Sequence, residues 1–186
     1  SIMLLVYLAI VNPKLLKIQL RDIWMFIGTG IFSLTFFTYC YFTSIVRSGA
    51  AIAVVLLYTS PIFVMLMSAV VFHEKITVKK IIALILTFIG CVFVAGLVGT
   101  GTSLSASALL LGLGAGFGYA LYSIFAGFAV KKYSSLTVTF YTFVFSGIAL
   151  PIFKNPIKLI SGINLGLLPW IFGISLICTV IPYLAY

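Results

Sequence analysis

Apolar residues run along this chain in long blocks broken by short polar clusters, and the fifty residues between Lys80 and Lys131 contain no Asp, Glu, Lys or Arg. A block of roughly 20 apolar residues, wound as an α-helix, crosses the hydrocarbon core of a bilayer. Inside that core only helices and closed barrels satisfy their own backbone groups, and these blocks lack the polar–apolar alternation of barrel strands. The pattern predicts seven helices, over residues 1–11, 23–46, 50–72, 80–98, 107–130, 134–153 and 165–186. The long uncharged run is divided at VGTGTSLSAS, where Gly99, Gly101 and the Ser and Thr residues supply turn chemistry. The expected fold class is therefore an all-α integral membrane protein, a polytopic helical bundle.

Composition sharpens this reading. The chain is 63% hydrophobic and 7% charged, against about 25% charged residues in an ordinary soluble domain. Its formal charge of +9 comes from Lys and Arg dispersed over short loops, with no basic helix or nucleic-acid motif around them, so nucleic acid is not an expected partner. The charges instead sort by side. Lys14, Lys17, Arg21, Lys75, Lys79, Lys80, Lys131 and Lys132 fall in one set of alternate loops, and Arg47, Lys154 and Lys158 in the other. The positive-inside rule makes loops 12–22, 73–80 and 131–133 cytoplasmic in a multi-pass protein of the plasma (inner) membrane.

Candidate chemistry is sparse. Cys40, Cys91 and Cys178 lie in apolar runs at spacings that suggest neither a metal site nor a disulfide framework. With one His, one Asp and one Glu, a membrane-embedded enzyme site cannot be assembled, and no metal or cofactor is expected. Asp22, Arg47 and Glu74 sit at span ends, leaving hydroxyls as the polar groups at membrane depth. Thr35, Tyr39, Tyr58, Ser60, Tyr119, Tyr122 and Tyr183 are the candidate solute-binding residues, since neutral donors and acceptors suit a wet cavity. Thr35, Tyr39 and Phe42 share one helical face, and Tyr119, Tyr122 and Ala126 another. Intramembrane Ser and Thr also commonly bond back to their own helix or bridge to a neighbour, and Tyr near a span end is commonly an interface anchor.

Structural roles are expected at four further positions. Pro61 cannot donate to the Leu57 carbonyl and kinks its helix. Gly112 and Gly116, in a GxGxGxG run, allow close helix approach. Glu74, at the unfavourable negative end of a helix, pairs with Lys75, Lys79 or Lys80 as a latch.

Residues 24–42 match residues 168–186 at an offset of 144, aligning Thr35 with Thr179 and Tyr39 with Tyr183. The assigned topology gives these two helices opposite directions, the mark of an inverted repeat. The stretch AIAVVLLYTSPIFVMLMSAVVFHEKIT, with Pro61 and then Glu74 thirteen residues on, resembles the most recognisable element of EamA-type carriers of the drug/metabolite transporter superfamily. KKIIALILTFIGCVFVAG is similar to the helix closing the first half in that family, with Gly90 at the expected glycine, and GLGAGFGYALYSIFAGFAVKK is similar to the helix opening the second.

The resemblance implies two inverted five-helix repeats. Residues 1–98 would be helices two to five of the first, 99–106 an external linker, and 107–186 helices one to three of the second. The chain reads as a fragment lacking the first helix and the last two. The function implied is a secondary transporter of a small organic metabolite, an amino acid, nucleobase or drug-like solute, exported by alternating access. The expected partners are that solute and the lipid bilayer, with homodimerisation left open. A non-transporting scaffold or assembly subunit is the alternative.

Overall fold

The computed structural model describes residues 17–94 and 105–153, together with positions 166, 169 and 173. Five helices account for nearly all of this: α1 (Leu20–Ser48), α2 (Ala50–Val71), α3 (Val78–Val94), α4 (Ala106–Ala129) and α5 (Ser135–Phe153). These correspond to the second to sixth predicted spans, and the ends that fall inside the described residues lie within three residues of the expectation. The helices expected over 1–11 and 165–186 lie outside the described residues. Three helices, α1, α2 and α4, are each long and apolar enough to cross a membrane unaided.

Helix α4 is the axis of the bundle. It packs along α1 and along both halves of α2, while α5 packs against the middle of α1. Helix α3 meets the Ala50–Leu57 half of α2 only slightly and has no buried residue, so its apolar side chains Ile82, Ile85, Leu86 and Phe93 face outward. Such a surface is at home against acyl chains, where exposing Leu or Ile carries no penalty.

Two helices are irregular at places the sequence accounts for. In α1, residues Gly28–Thr35 are wound as a π-helix, a wide turn found mostly as short insertions at functional positions. Gly30 in this segment lies against the backbone of α5: a Cβ there would be 2.6 Å from Phe145 Cβ and 2.8 Å from the Thr142 carbonyl oxygen. In α2 the helix is interrupted at Tyr58 and Thr59 and resumes at Ser60 with Pro61 in its first turn. The Thr59 hydroxyl and amide both donate back to the Leu56 carbonyl, at 2.6 and 3.1 Å. The reversal between α1 and α2 is a single residue, Gly49 at φ 83°, a conformation that glycine adopts without the Cβ penalty.

Hydroxyl groups stitch the helices together. Thr142 Oγ1 donates to Thr29 Oγ1 (2.8 Å), and Thr35 Oγ1 shares a 3.1 Å hydrogen bond with Ser146 Oγ, joining α1 to α5. Ser33 Oγ donates to the Gly118 carbonyl (2.8 Å), joining α1 to α4. Interhelical hydrogen bonds in membranes contribute about 0.6 kcal/mol each on average, so dispersion across the close glycine contacts carries the larger share.

The charged loops gather at one end. Lys132 Nζ is 2.9 Å from Asp22 Oδ1, and Lys131 Nζ stands 5.0 Å over the Phe72 ring. The start of α1, the end of α2 and the end of α4 therefore share one end of the bundle, and Gly49 lies at the other, near Ser44, which donates to the Ala108 carbonyl (3.4 Å). Gly30 and Gly90 make a contrasting pair, because nothing lies within 4 Å of a Cβ at Gly90. Gly30→Ala is expected to lower stability by about 1–3 kcal/mol through overpacking. Gly90→Ala should raise it by about 0.5–1 kcal/mol through helix propensity. Thermal unfolding of the purified variants measures both.

Candidate functional site

A cavity of about 150 Å³ opens between α1, α4 and α5. Ser33, Leu34 and Phe37 contribute from α1, Tyr119 and Tyr122 from α4, and Thr139, Thr142 and Phe143 from α5. Each helix presents these side chains for a local reason. The π-helical turns of α1 end at Thr35, just where α5 ceases to cover it, so Phe37 on the following turn faces the cavity. Gly118 lets α4 approach the backbone of Phe37, since a Cβ there would be 3.1 Å from Phe37 Cα. That approach sets the Tyr119 ring edge-on to the Phe37 ring at 5.9 Å between centroids. On α5, Thr139, Thr142 and Ser146 are spaced i, i+3 and i+7, which puts their hydroxyls on the face turned to α1.

The lining is aromatic and hydroxylic, with no charged side chain among the described residues. Two of its hydroxyls are already committed, Ser33 to the Gly118 carbonyl and Thr142 to Thr29. A neighbouring groove of about 470 Å³ between α2 and α3 is lined by Ser60, Pro61, Ser68, Glu74, Lys80 and, again, Tyr119. Tyr119 thus belongs to both spaces and is 48% exposed.

The other sequence-predicted residues are distributed more widely. Tyr122 joins Tyr119 at the cavity, and Ser60 joins it at the groove. Thr35 is 1% exposed and is held between the Gly30 carbonyl (2.8 Å) and Ser146, on the α1–α5 contact instead of the cavity wall. Tyr39, four residues on, is 47% exposed, and Phe42 is exposed as well. The face that Thr35, Tyr39 and Phe42 would share is therefore split, because α5 covers α1 no farther along than its π-helical turns. Tyr58 and Gly90 line a third depression, about 560 Å³, between the first half of α2 and α3. Tyr183 lies outside the described residues.

The structural candidates are placed as follows. Gly112 faces Leu56, and Gly116 faces the interruption of α2, where a Cβ would be 2.7 Å from Thr59 Oγ1 and 3.4 Å from the Leu56 carbonyl oxygen. Pro61 sits just past that interruption. Glu74 pairs with Lys80 at 3.1 Å, both about half exposed. His73, beside it, holds φ 56° and closes α2 in a left-handed cap, with the Glu74 amide donating to the Ser68 carbonyl (3.4 Å).

One charged cluster was not foreseen. Asp22, 2% exposed at the start of α1, accepts from Lys132 Nζ (2.9 and 3.2 Å) and from the Tyr133 hydroxyl (2.7 Å). The Tyr133 oxygen in turn accepts from the Gln19 amide at 3.1 Å. A sequence separation of 110 residues hid this contact; the signal was a lone Asp at the mouth of a span whose partners had to be basic. On the cavity, Phe37, Thr139 and Phe143 were also unforeseen, although the hydroxyl spacing along α5 was there to be read.

Apolar helices long enough to cross a bilayer, with an uncharged, hydroxyl-bearing cavity opening between three of the helices, define a multi-pass membrane protein. The chain belongs to the EamA-like transporter family, which matches residues 1–96 and 106–186. It is also similar to an uncharacterized transporter of Archaeoglobus fulgidus, 25% identical over 171 residues that cover 91% of this chain and 60% of that protein. The chain thus spans about 60% of the length of the curated relative it matches. No solved structure is significantly similar to it.

Asp22→Asn is expected to lower the unfolding midpoint and the yield of folded protein. Combined with Lys132→Met the loss should be less than additive, because the two changes remove one interaction. Glu74→Gln, by contrast, should cost about 0.5 kcal/mol or less, as for other exposed ion pairs. Thermal unfolding of the four variants separates the two clusters.

Proposed function

We propose that this chain forms much of a secondary carrier, not an enzyme, that moves a small organic metabolite across the plasma (inner) membrane, outward, by alternating access. The observation that carries the reading is the cavity at Tyr119, Tyr122 and Thr139, a set of neutral hydrogen-bonding groups enclosed by apolar helices. Ligand sites are typically concave, largely apolar and furnished with a few placed polar groups. Membership of a transporter family supports transport as the use of that cavity.

In this reading residues 1–98 and 107–186 are two inverted repeats joined by 99–106, and loops 12–22, 73–80 and 131–133 are cytoplasmic. Tyr119 and Tyr122 hold the solute, with Ser60 at the edge of the adjoining groove. Alternating access requires the halves to move against each other. The interruption at Tyr58 and Thr59, packed on Gly116, supplies a hinge: the helix has no regular ladder there to break, and Pro61 prevents one from forming. The Asp22 cluster ties α1 to the α4–α5 loop and so joins the two repeats at the cytoplasmic end.

The test is untargeted mass spectrometry of the medium around cells expressing the full-length protein, its Tyr119→Phe and Tyr39→Phe variants, or neither. A compound should accumulate outside with the native protein, about three- to tenfold more slowly with Tyr119→Phe, the loss expected for one hydrogen bond. Tyr39→Phe, on the exposed face, should change the rate less. An unchanged medium in all cultures would count against export.

A further inference from the structure

The cavity between α1, α4 and α5 has an uncharged lining and a small volume, about 150 Å³. Thr139 is 4% exposed and lines this space; its hydroxyl makes no hydrogen bond to the described residues and, since no buried side-chain oxygen among them lacks a partner, it is reached from the cavity. Its neighbours Ser33 and Thr142 are committed elsewhere, to Gly118 and Thr29. A hydroxyl that opens onto a cavity between apolar helices completes its hydrogen bonding with water or with a ligand that enters there. The Tyr119 hydroxyl is likewise without a protein partner among the described residues. The remaining wall consists of the rings of Phe37, Tyr122 and Phe143 and the side chain of Leu34.

Charge and volume narrow what fits. No Lys, Arg, Asp or Glu lines the cavity among the described residues. The nearby pair Glu74 and Lys80, in the adjoining groove, is mutually neutralised at 3.1 Å. An ion entering without a counter-charge would lose several kcal/mol of hydration. The volume, about 150 Å³, is that at which an apolar protein cavity accepts one benzene ring. Flat aromatic walls favour a flat guest through offset or edge contacts.

We infer that this cavity binds an uncharged, planar, single-ring solute, or a ring of that kind on a larger solute, with Thr139 as the residue that selects its hydrogen-bonding edge and Tyr119 as the second donor. The inference rests on the reading of this cavity as the solute site and narrows the solute class.

Three near-isosteric probes differing in charge test it at neutral pH: benzamide (neutral), benzoate (anion) and benzamidine (cation). Binding of each radiolabelled compound is measured by equilibrium dialysis on the full-length protein in lipid nanodiscs, against empty nanodiscs. Benzamide should bind saturably and at least about tenfold tighter than either ion. Thr139→Val should weaken it about five- to tenfold, Thr139→Ser should stay within about twofold of native, and Tyr119→Phe should weaken it about threefold, in line with single hydrogen bonds. Absence of saturable benzamide binding, an ion binding as tightly as benzamide, or equal binding by Thr139→Val and native protein each overturns the inference. Should Thr139→Val not fold, the comparison of the three probes on native protein and the Tyr119→Phe result decide.

Flux of a broad metabolite panel in proteoliposomes, measured on the same preparation, keeps the two claims apart. Flux of charged solutes without benzamide binding removes this inference and leaves transport standing. Benzamide binding that follows the expected order, with no flux of any solute, supports the inference and removes transport.

Discussion

The absence of water from the bilayer interior governs this protein. A helix in hydrocarbon gains nothing by hiding leucine from lipid, so helices associate only where their surfaces fit closely or where polar groups need one another. Helix α1 meets both conditions. Its glycines at 28 and 30 admit the ring of Phe125 and the backbone of α5, and its hydroxyls at 29, 33 and 35 are answered by Thr142, Gly118 and Ser146. Helix α3, with neither glycine contacts nor buried hydroxyls, hangs on the side of the bundle with its apolar side chains outward. The contrast follows from side-chain size and polarity, since both helices are strongly apolar.

The same rule makes the cavity informative. Most intramembrane hydroxyls here are spent on structure, as Thr38, Thr43, Ser48 and Thr87 show by bonding to carbonyls four residues back in their own helices. Thr139 and Tyr119 differ in lining the cavity without a hydrogen bond to the described residues. A hydroxyl that opens onto a cavity, uncommitted to its own helix, is a stronger sign of ligand contact than mere presence on a polar stripe. The committed hydroxyls of Ser33 and Thr142 add rigidity to the wall, fixing where the free ones point.

Charge has been moved out of the membrane and concentrated at one end. Asp22, Lys132 and Tyr133 form a closed hydrogen-bonded set there, while Lys131 covers the rings of Phe72 and Phe128. Asp22 is the most shielded charge among the described residues, and its three contacts come from a loop 110 residues distant. It is therefore more than a flank of a span. It fixes the entry of α1 against the exit of α4, and any motion that separates those elements has to break an ion pair and a phenol contact together.

By itself the sequence determined the class, the approximate limits of the five spans that fall within the described residues, and the family, because insertion into lipid is decided by runs of apolar residues, and runs are local. The EamA resemblance at residues 51–77 was legible for the same reason: Pro61 and Glu74 sit at a fixed spacing on one stretch of chain. Some of the chemistry was legible too, since Tyr119 and Tyr122 share a helical face and do meet at one cavity. Only the tertiary structure decided which hydroxyls are spent and which are free. Thr35 and Thr139 look alike as letters, and it is Ser146 that closes off one while Phe37 and Tyr119 leave room beside the other. Tertiary structure alone also brought Asp22 to Lys132, because a contact across 110 residues depends on how α4 lies along α1, and that is set by glycine contacts whose partners no local pattern names.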